Sequence, residues 1–576
     1  MSGAERRPLR IVWDLLLRRE RWSILGLLVL TLVGVMLETL SLGAVIPVIT
    51  VLVQDPSSLS ELNIPFVNNS MSRLSLIVVS MSALTGLMLL KHCFTLWSSW
   101  LQFGVYAELN VRLSQQLFGN YLNRPYQFHT QHSTAELITN TQNANLIITG
   151  AVTPLLTLTG ESLVGLGLFS ILVIVEPAAT LGALAVFLVF GISFQRITRS
   201  RIDTWGRAGI RHRRDAMRHL QEGFGGIKDL KVLGRESSYL LKHESNLRQL
   251  ATANRKFSTL QGVPRVILET VALSGLSLLV VVLTIQGRSG AEVLPVLGLF
   301  AAGAFRVAPS VNRVLVSIQQ IRFALPMIRT LEADLAPHDA QNQSRGVQSQ
   351  LQFENLTVNS VHFSHFQRAS ETLRGLNLEL RKGSSIGIMG ESGVGKSTLI
   401  DVILGLLHPD SGSVLVNSTD LSECGGEWRR MVGYVPQTIF LADATIRSNV
   451  AFGLADSEID DSLVDCAIDL AQLRSFVQSL EHGIQTVVGE RGVRLSGGQR
   501  QRIGIARALY GRPQVLIFDE ATSSLDSETE QAFLDSIRDL RDHYTMLVVA
   551  HRTSTLKYCS GVFQLRDGVL REIEVA

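Results

Sequence analysis

The sequence predicts two domains of different class: an N-terminal six-helix, all-α transmembrane domain, and a C-terminal α/β domain built around a phosphate-binding loop. Three observations carry this. Six apolar stretches, each long enough for the roughly 20 helical residues a bilayer needs, lie ahead of Pro326. The run Gly390-Glu391-Ser392-Gly393-Val394-Gly395-Lys396-Ser397 reads G-x-x-x-x-G-K-S, with an apolar strand-like stretch before it and a helix-compatible stretch after it. A hydrophobic content of 46% is high for a soluble chain and agrees with a membrane part.

The N-terminal segment, residues 1–22, carries Arg6, Arg7, Arg10, Arg18, Arg19 and Arg21 around a short apolar run. No small-residue cleavage site precedes the first long apolar stretch, so it reads as a basic elbow helix lying on the cytosolic face rather than as a signal peptide. The spans are expected at residues 23–53, 74–101, 146–175, 178–194, 266–286 and 293–316. An even number returns the chain to the side on which it began. Arginines crowd the N-terminus and residues 196–218, whereas the turns at 54–72, 176–177 and 287–292 are short or poor in Lys and Arg. The positive-inside bias therefore places the N-terminus in the cytosol.

Residues 106–145 and 195–261 keep a helical pattern but turn polar, which predicts that helices of the 23–326 domain continue into the cytosol. Short breaks at Arg124-Pro125-Tyr126 and at Gln221-Glu222-Gly223-Phe224-Gly225-Gly226-Ile227-Lys228 suit stubs that dock on another domain. Charges in or beside the spans are costly and usually face a protein interior or a wet cavity. Lys91, Arg265, Arg306 and Arg313, with Glu38, Glu161 and Glu269 as acids, are the candidates for a cationic cargo cavity suited to an anionic headgroup. Pairing of Arg265 with Glu269 along one helix, and snorkelling of Lys91, are the bland readings of the same residues.

Apolar periodicity fades over residues 327–350, a polar linker, and strand-like alternation resumes from Leu351 onward into the 351–576 domain. The net charge of +3 gives no overall basicity that would point to nucleic acid. Cys93, Cys424, Cys466 and Cys559 form no C-x-x-C pair, against both a disulfide framework and a zinc site. In the phosphate loop, glycines let backbone N–H groups close on phosphate oxygens, Lys396 reaches toward the β- and γ-phosphates, and Ser397 can ligate Mg2+. Downstream, Gln514-Val515-Leu516-Ile517-Phe518-Asp519-Glu520 reads as a buried parallel strand ending in two acids. Asp519 is placed to hold Mg2+ and Glu520 to polarise water. His551 follows the apolar strand 546–550, and Leu495-Ser496-Gly497-Gly498-Gln499 opens a helix whose N-terminus suits phosphate.

These motifs, in this order, resemble the ATP-binding cassette family, and six spans ahead of one such domain resemble the bacterial half-size exporters. Gln437 in Tyr434-Val435-Pro436-Gln437 is similar to the family's glutamine loop, Ser524-Leu525-Asp526 to its aspartate loop, and Thr486-Val487-Val488-Gly489-Glu490-Arg491-Gly492 to an exporter segment. The resemblance implies ATP and Mg2+ as cofactors. It assigns the phosphates to Gly390, Glu391, Ser392, Gly393, Val394, Gly395, Lys396, Ser397 and Thr398, the metal to Ser397, Gln437 and Asp519, and catalysis to Glu520, His551 and Gln437. Leu495, Ser496, Gly497, Gly498 and Gln499 would meet the ATP of a partner subunit, so a homodimer is implied. The family usually stacks a Tyr on adenine, but here the matching position holds His365 with Phe366 beside it.

The pattern Glu38-Thr39-Leu40-Ser41-Leu42-Gly43-Ala44-Val45-Ile46-Pro47 and the turn Gly225-Gly226-Ile227-Lys228-Asp229-Leu230-Lys231 look more like the flippases of lipid-linked oligosaccharides, which handle a polyprenyl diphosphate. That resemblance implies export of such an anionic lipid from the inner leaflet of a bacterial plasma membrane, with the cassette cytosolic. Alternatives are a lipid A or phospholipid flippase, a multidrug or peptide exporter, and, from another class, an ATP-gated channel, against which the retained Glu520 argues. The spans argue against a soluble mechanical or DNA-repair ATPase.

Overall fold

The computed structural model describes residues 8–44, 73–175, 177–286, 290–336, 352–365, 370–520, 531 and 538–574. The chain forms two compact units, Met1–Arg124 with Gln131–His338, and Pro125–Thr130 with Asp339–Ala576.

The first unit is all helix. An amphipathic α1 (Pro8–Leu15) precedes α2 (Arg18–Gly43), and α3 (Arg73–Leu122) follows. The stub α4 (Tyr126–Gln131) begins at the Pro125 break, and its residues up to Thr130 belong to the second unit. Next come α5 (Thr134–Gln142), α6 (Thr153–Val175), α7 (Pro177–Gly225), α8 (Ile227–Leu233), α9 (Glu236–Ile285) and α10 (Gly290–Leu335). Five described helices are long and apolar enough to cross a membrane, and α10 covers the sixth apolar stretch. At 50, 49 and 50 residues, α3, α7 and α9 are each about 75 Å long, more than twice the bilayer's apolar thickness of about 30 Å. They must therefore continue well past the membrane. Large apolar side chains such as Leu89, Leu96, Leu166 and Val189 stay exposed along the spans, as lipid-facing surfaces require.

Polar contacts join the helices beyond the spans. Asp334 Oδ2 on α10 accepts from Tyr121 Oη at 2.6 Å and from Asn140 Nδ2 at 3.2 Å, tying α3, α5 and α10 together. Where α7 crosses α10, a Cβ on Gly206 would stand 2.5 Å from the Phe323 carbonyl oxygen, so this approach admits only glycine.

The second unit places strands β1 (Asn355–Phe363), β2 (Leu373–Arg381), β4 (Ser411–Val416) and β5 (Thr419–Asp420) in an antiparallel sheet of order β2-β1-β4-β5. A six-stranded sheet of order β10-β9-β3-β8-β7-β6 is built from β3 (Ser385–Met389), β6 (Val432–Val435), β7 (Val515–Asp519), β8 (Thr545–Val549), β9 (Gly561–Arg566) and β10 (Val569–Ile573). Only β10 runs antiparallel to its neighbour. Strands β7 and β8 are buried along their whole length, which is why they read as unbroken apolar runs. Helices α11 (Lys396–Ile403), α12 (Leu421–Met431) and α13 (Gly497–Tyr510) flank this sheet. Trp428 on α12 is fully buried and donates its indole N–H to the Ile403 carbonyl at 2.8 Å.

Candidate phosphate and nucleotide site

The site forms at the C-terminal ends of β3, β7 and β8, where open parallel sheets bind ligands. Leaving β3, the chain bends through Gly390, Glu391, Ser392, Gly393, Val394 and Gly395 into α11. Gly393 and Gly395 adopt positive φ of 81° and 111°, and a Cβ on Gly395 would meet Thr372 at 2.9 Å, so a bulkier residue would be strained twice over. The first turn of α11 thereby opens toward a small cavity of about 240 Å3 lined by Ser392, Lys396, Ser397, Thr398, Gln437 and Glu520 among others.

Lys396 is nearly buried and folds back over the loop, donating to the carbonyls of Gly390 at 2.9 Å and Glu391 at 3.0 Å. Its Nζ also lies 3.0 Å from Glu520 Oε1, and 3.2 Å from His551 Nε2. Glu520 itself is held from three sides, since His551 Nε2 is 2.7 Å from Oε1 and Gln437 Nε2 donates to Oε2 at 2.8 Å. The backbone φ of Glu520 is 46°, a left-handed conformation unusual for a non-glycine residue and the means by which the strand end turns the carboxylate inward. Thus Lys396, Gln437, Glu520 and His551, spread over more than 150 residues of sequence, form one hydrogen-bonded cluster.

Asp519 is buried, and its Oδ1 has no hydrogen-bond partner among the described residues while Tyr434 Oη donates to Oδ2 at 3.5 Å. Burial, and then the neighbouring Glu520 charge, push the Asp519 carboxyl up; Ser397, Tyr434 and Lys396 pull it down. An orphaned buried carboxylate oxygen beside a Ser hydroxyl is a donor set that fits a small hard cation sharing phosphate oxygens. No group of three or more His, Cys, Asp and Glu side chains that could hold a metal by themselves occurs among the described residues.

His365 reaches this cavity, its Nε2 lying 3.0 Å from Thr398 Oγ1 and its ring edge-on to Phe363 at 5.1 Å between centroids. Phe366 and the stretch Ser524-Leu525-Asp526 lie outside the described residues. Ser496 caps α13: its Oγ accepts from Gln499 N at 3.2 Å, and Gln499 Oε1 accepts from Ser496 N at 2.9 Å. This reciprocal box fixes the helix N-terminus at Gly497 and Gly498, with Leu495 packed against the core beneath it.

Two residues at this end of the sheet escaped sequence reasoning. Tyr434 stands three positions before Gln437, and Asp401 one turn beyond Ser397. Burial and the Asp519 charge push the Asp401 carboxyl up to about 6. Asp401 also acts on Tyr126 of α4, whose hydroxyl is raised by burial and by that carboxylate. The α4 stub therefore touches the electrostatics of the phosphate-loop helix.

In the first unit, three of the four cations proposed for a cargo cavity carry their own acids. Lys91 Nζ lies 3.2 Å from Glu38 Oε1, linking α3 to α2. Arg313 Nε lies 2.8 Å from Glu161 Oε1, linking α10 to α6, and Ser310 Oγ donates to the other Glu161 oxygen at 2.7 Å. Arg265 pairs with Glu269 at 2.8 Å on the exposed surface of α9, the simple pairing along one helix. Arg306 lies within α10, and its side chain is outside what is described.

Residues 373–523 match the family model "ABC transporter", and residues 23–291 match "ABC transporter transmembrane region". The chain is 28% identical over 494 residues to an "ABC transporter B family member 1" of Dictyostelium discoideum, covering 85% of this chain but only 54% of that protein, so it spans about half of that relative. It is 27% identical over 498 residues to an "ATP-dependent lipid A-core flippase" of Cupriavidus pinatubonensis, covering 85% and 83% of the two chains. It is 26% identical over 507 residues to the protein of the same name from Salmonella typhimurium, covering 84% of each. A solved "bacterial Atm1-family ABC exporter with ATP bound" shares the fold, with a TM-score of 0.79 and 23% identity over 97% of this chain and 95% of that one. An all-α membrane domain and a phosphate-loop domain, each matched by its own family model within one chain, make this protein a half-transporter of the ABC exporter family, an ATPase coupled to transport across a membrane.

Proposed function

We propose that the protein is a homodimeric flippase that uses ATP to move a polyprenyl-diphosphate-linked oligosaccharide, or a similarly anionic amphiphile, from the inner leaflet outward in a bacterial plasma membrane, with the cassette in the cytosol. The observation that carries the cargo class is the pair of acid–base contacts between spans, Glu38 with Lys91 and Glu161 with Arg313. Each cation is held at the membrane level by a carboxylate that an incoming phosphate group can replace, and guanidinium takes phosphate in the same forked geometry as carboxylate.

For hydrolysis, Glu520 orients the attacking water, steadied by Gln437, while Lys396 and His551 meet the γ-phosphate; water attacks phosphorus as the bond to ADP breaks. Ser397, Asp519 and Gln437 would hold Mg2+, which neutralises charge on the phosphates when bound. His365 is proposed to stack on adenine. Leu495, Ser496, Gly497, Gly498 and Gln499 are proposed to meet the ATP of the second subunit. The strongly exposed apolar side chains Phe224, Val232 and Leu233 around α8 support a second copy as the surface that covers them.

A second reading, a lipid A-core flippase, is favoured by the names of the relatives from Cupriavidus pinatubonensis and Salmonella typhimurium. Both cargoes carry phosphate on a lipid. The deciding experiment is ATPase activity in liposomes with a polyprenyl-diphosphate oligosaccharide or with lipid A, for wild type, Glu520→Gln, Lys91→Ala and Arg306→Ala. Stimulation by the first lipid alone, lost in all three variants, supports the main reading. Stimulation by lipid A alone supports the second, and activity indifferent to both lipids would sink the cargo class.

A further inference from the structure

Helix α7 carries more arginine than its partners neutralise. Arg213 donates to Asn143 Oδ1 at 2.8 Å, Arg214 pairs with Glu136 at 2.9 Å and Arg218 with Asp215 at 3.2 Å. By contrast, Arg196, Arg199, Arg207 and Arg211 make no hydrogen bond or ion pair among the described residues. They line one groove of about 630 Å3, with Asp203 as its acid. Their spacing of 3, 11 and 15 residues from Arg196 keeps them on a single face of the helix. From α10, Arg322 adds to the same field: burial first, then the Arg199 charge, pull its guanidinium down, and Asp203 only partly offsets this. Cations crowded together in this way repel one another, and an anion among them would relieve it.

The same face has a second character on its membrane side. Val189 and Ile192 continue it into the fourth span and are 66% and 64% exposed, so the face changes from bare apolar to bare cationic at the edge of the span. From Arg196 to Arg211 the stripe runs about 22 Å. The bilayer's own headgroup layer is only about 5–8 Å deep on each side, so Arg196 and Arg199 stand within reach of a lipid headgroup while Arg207 and Arg211 extend the positive field beyond it.

Resting on the flippase reading above, we propose that this groove is a loading site for the phosphate-bearing headgroup of a lipid, with the diphosphate held at its membrane end by Arg196 and Arg199 and the chain lying against Val189 and Ile192. Paired guanidiniums offer forked donors that match phosphate oxygens. The groove shares no lining residue with the cations Lys91, Arg265 and Arg313.

The test is equilibrium binding to full-length protein in phosphatidylcholine nanodiscs, without nucleotide. The probes are a polyprenyl diphosphate, doped into the nanodisc, and inorganic pyrophosphate in solution. Arg196→Gln/Arg199→Gln is compared with Arg201→Gln/Arg218→Gln, which removes equal charge from the same helix outside the groove. The groove variant is expected to weaken binding of the lipid about tenfold or more while the control stays within about twofold. An equal loss in both variants would reduce the effect to net charge and overturn the site. Pyrophosphate bound as tightly as the lipid would overturn the lipid assignment, and a shift of the monomer–dimer balance in the groove variant alone would identify a second copy as the occupant instead. ATPase stimulation measured beside it separates the two readings. Groove-dependent binding without stimulation leaves the groove and removes the flippase, whereas stimulation undiminished in the groove variant does the reverse.

Discussion

The Glu520 carboxylate lies 3.0 Å from the Lys396 ammonium, with the two side chains 10% and 3% exposed. An ion pair so enclosed contributes little net stability while intact, but removing one partner leaves the other charge buried and costs about 3–5 kcal/mol. Lys396→Met is therefore expected to destabilise the cassette by about that amount in denaturant unfolding without nucleotide, and Lys396→Met/Glu520→Gln by clearly less. Equal destabilisation in the single and double variants would show that the pair is not coupled.

The same carboxylate holds Gln437 and His551, so its loss acts on turnover as well. Glu520→Gln is expected to lower ATPase activity by about a hundredfold or more while ATP binding stays within a few-fold of wild type. Measuring nucleotide binding and phosphate release on one preparation checks this. Loss of both together would mean that Glu520 serves mainly to hold the loop.

His365 offers a ring where adenine is expected to lie. His365→Ala should raise the ATP concentration for half-maximal activity about threefold to tenfold, the range of an aromatic contact, with turnover at saturation little changed. His365→Tyr should restore or improve on wild type. An unchanged half-saturation in His365→Ala would move the stacking role to Phe366.

Asp401 supplies a pH dependence. Its carboxyl titrates at about 6 in the folded chain, above the usual 3.8, because burial and Asp519 disfavour the charged form. The folded state therefore binds this proton more tightly than the unfolded state does. Stability falls as pH rises from about 4 to about 6, and the penalty is fully present above that window. Asp401→Asn should thus stabilise the cassette at pH 7 by about 1–2 kcal/mol, a value discounted because the group is partly solvated, and make little difference near pH 4. Metal-free unfolding at the two pH values tests it, and a gain equal at both would remove the carboxylate as the cause.

Ser496→Ala removes the cap of α13 and is expected to cost about 1 kcal/mol of stability, whereas Ser496→Asn, which can still accept from Gln499 N, should recover most of it. If the hydroxyl also meets ATP of a second subunit, activity will fall in both variants. Activity that follows stability alone would confine Ser496 to capping.

Much of the nucleotide site was legible because its chemistry is local. A phosphate loop must be glycine where φ is positive, as at Gly393 and Gly395, and the buried strand β7 must be apolar until it ends in Asp519 and Glu520. Six spans show through because the bilayer demands unbroken apolar length. What sequence could not show were pairings across long separations: Lys91 meets Glu38 from 53 positions away and Ser310 meets Glu161 from 149. The sequence offers Lys91 and Arg313 as cavity cations and Glu38 and Glu161 as acids, and the structure decides which acid stands beside which cation.

The sequence by itself determined the two domain classes, the phosphate loop, the strand-end acids and the helix that opens at Ser496-Gly497-Gly498-Gln499, because each shows in local pattern or composition. Only the tertiary structure decided which charges are neutralised. It tied Glu520 to Lys396, Gln437 and His551, and gave acids to Lys91 and Arg313. It also left Arg196, Arg199, Arg207 and Arg211 of α7 without an ion pair among the described residues, with Asp203 as the one acid lining their groove. Local periodicity fixes the face on which a charge stands, but the charge's partner depends on which helices the fold brings together.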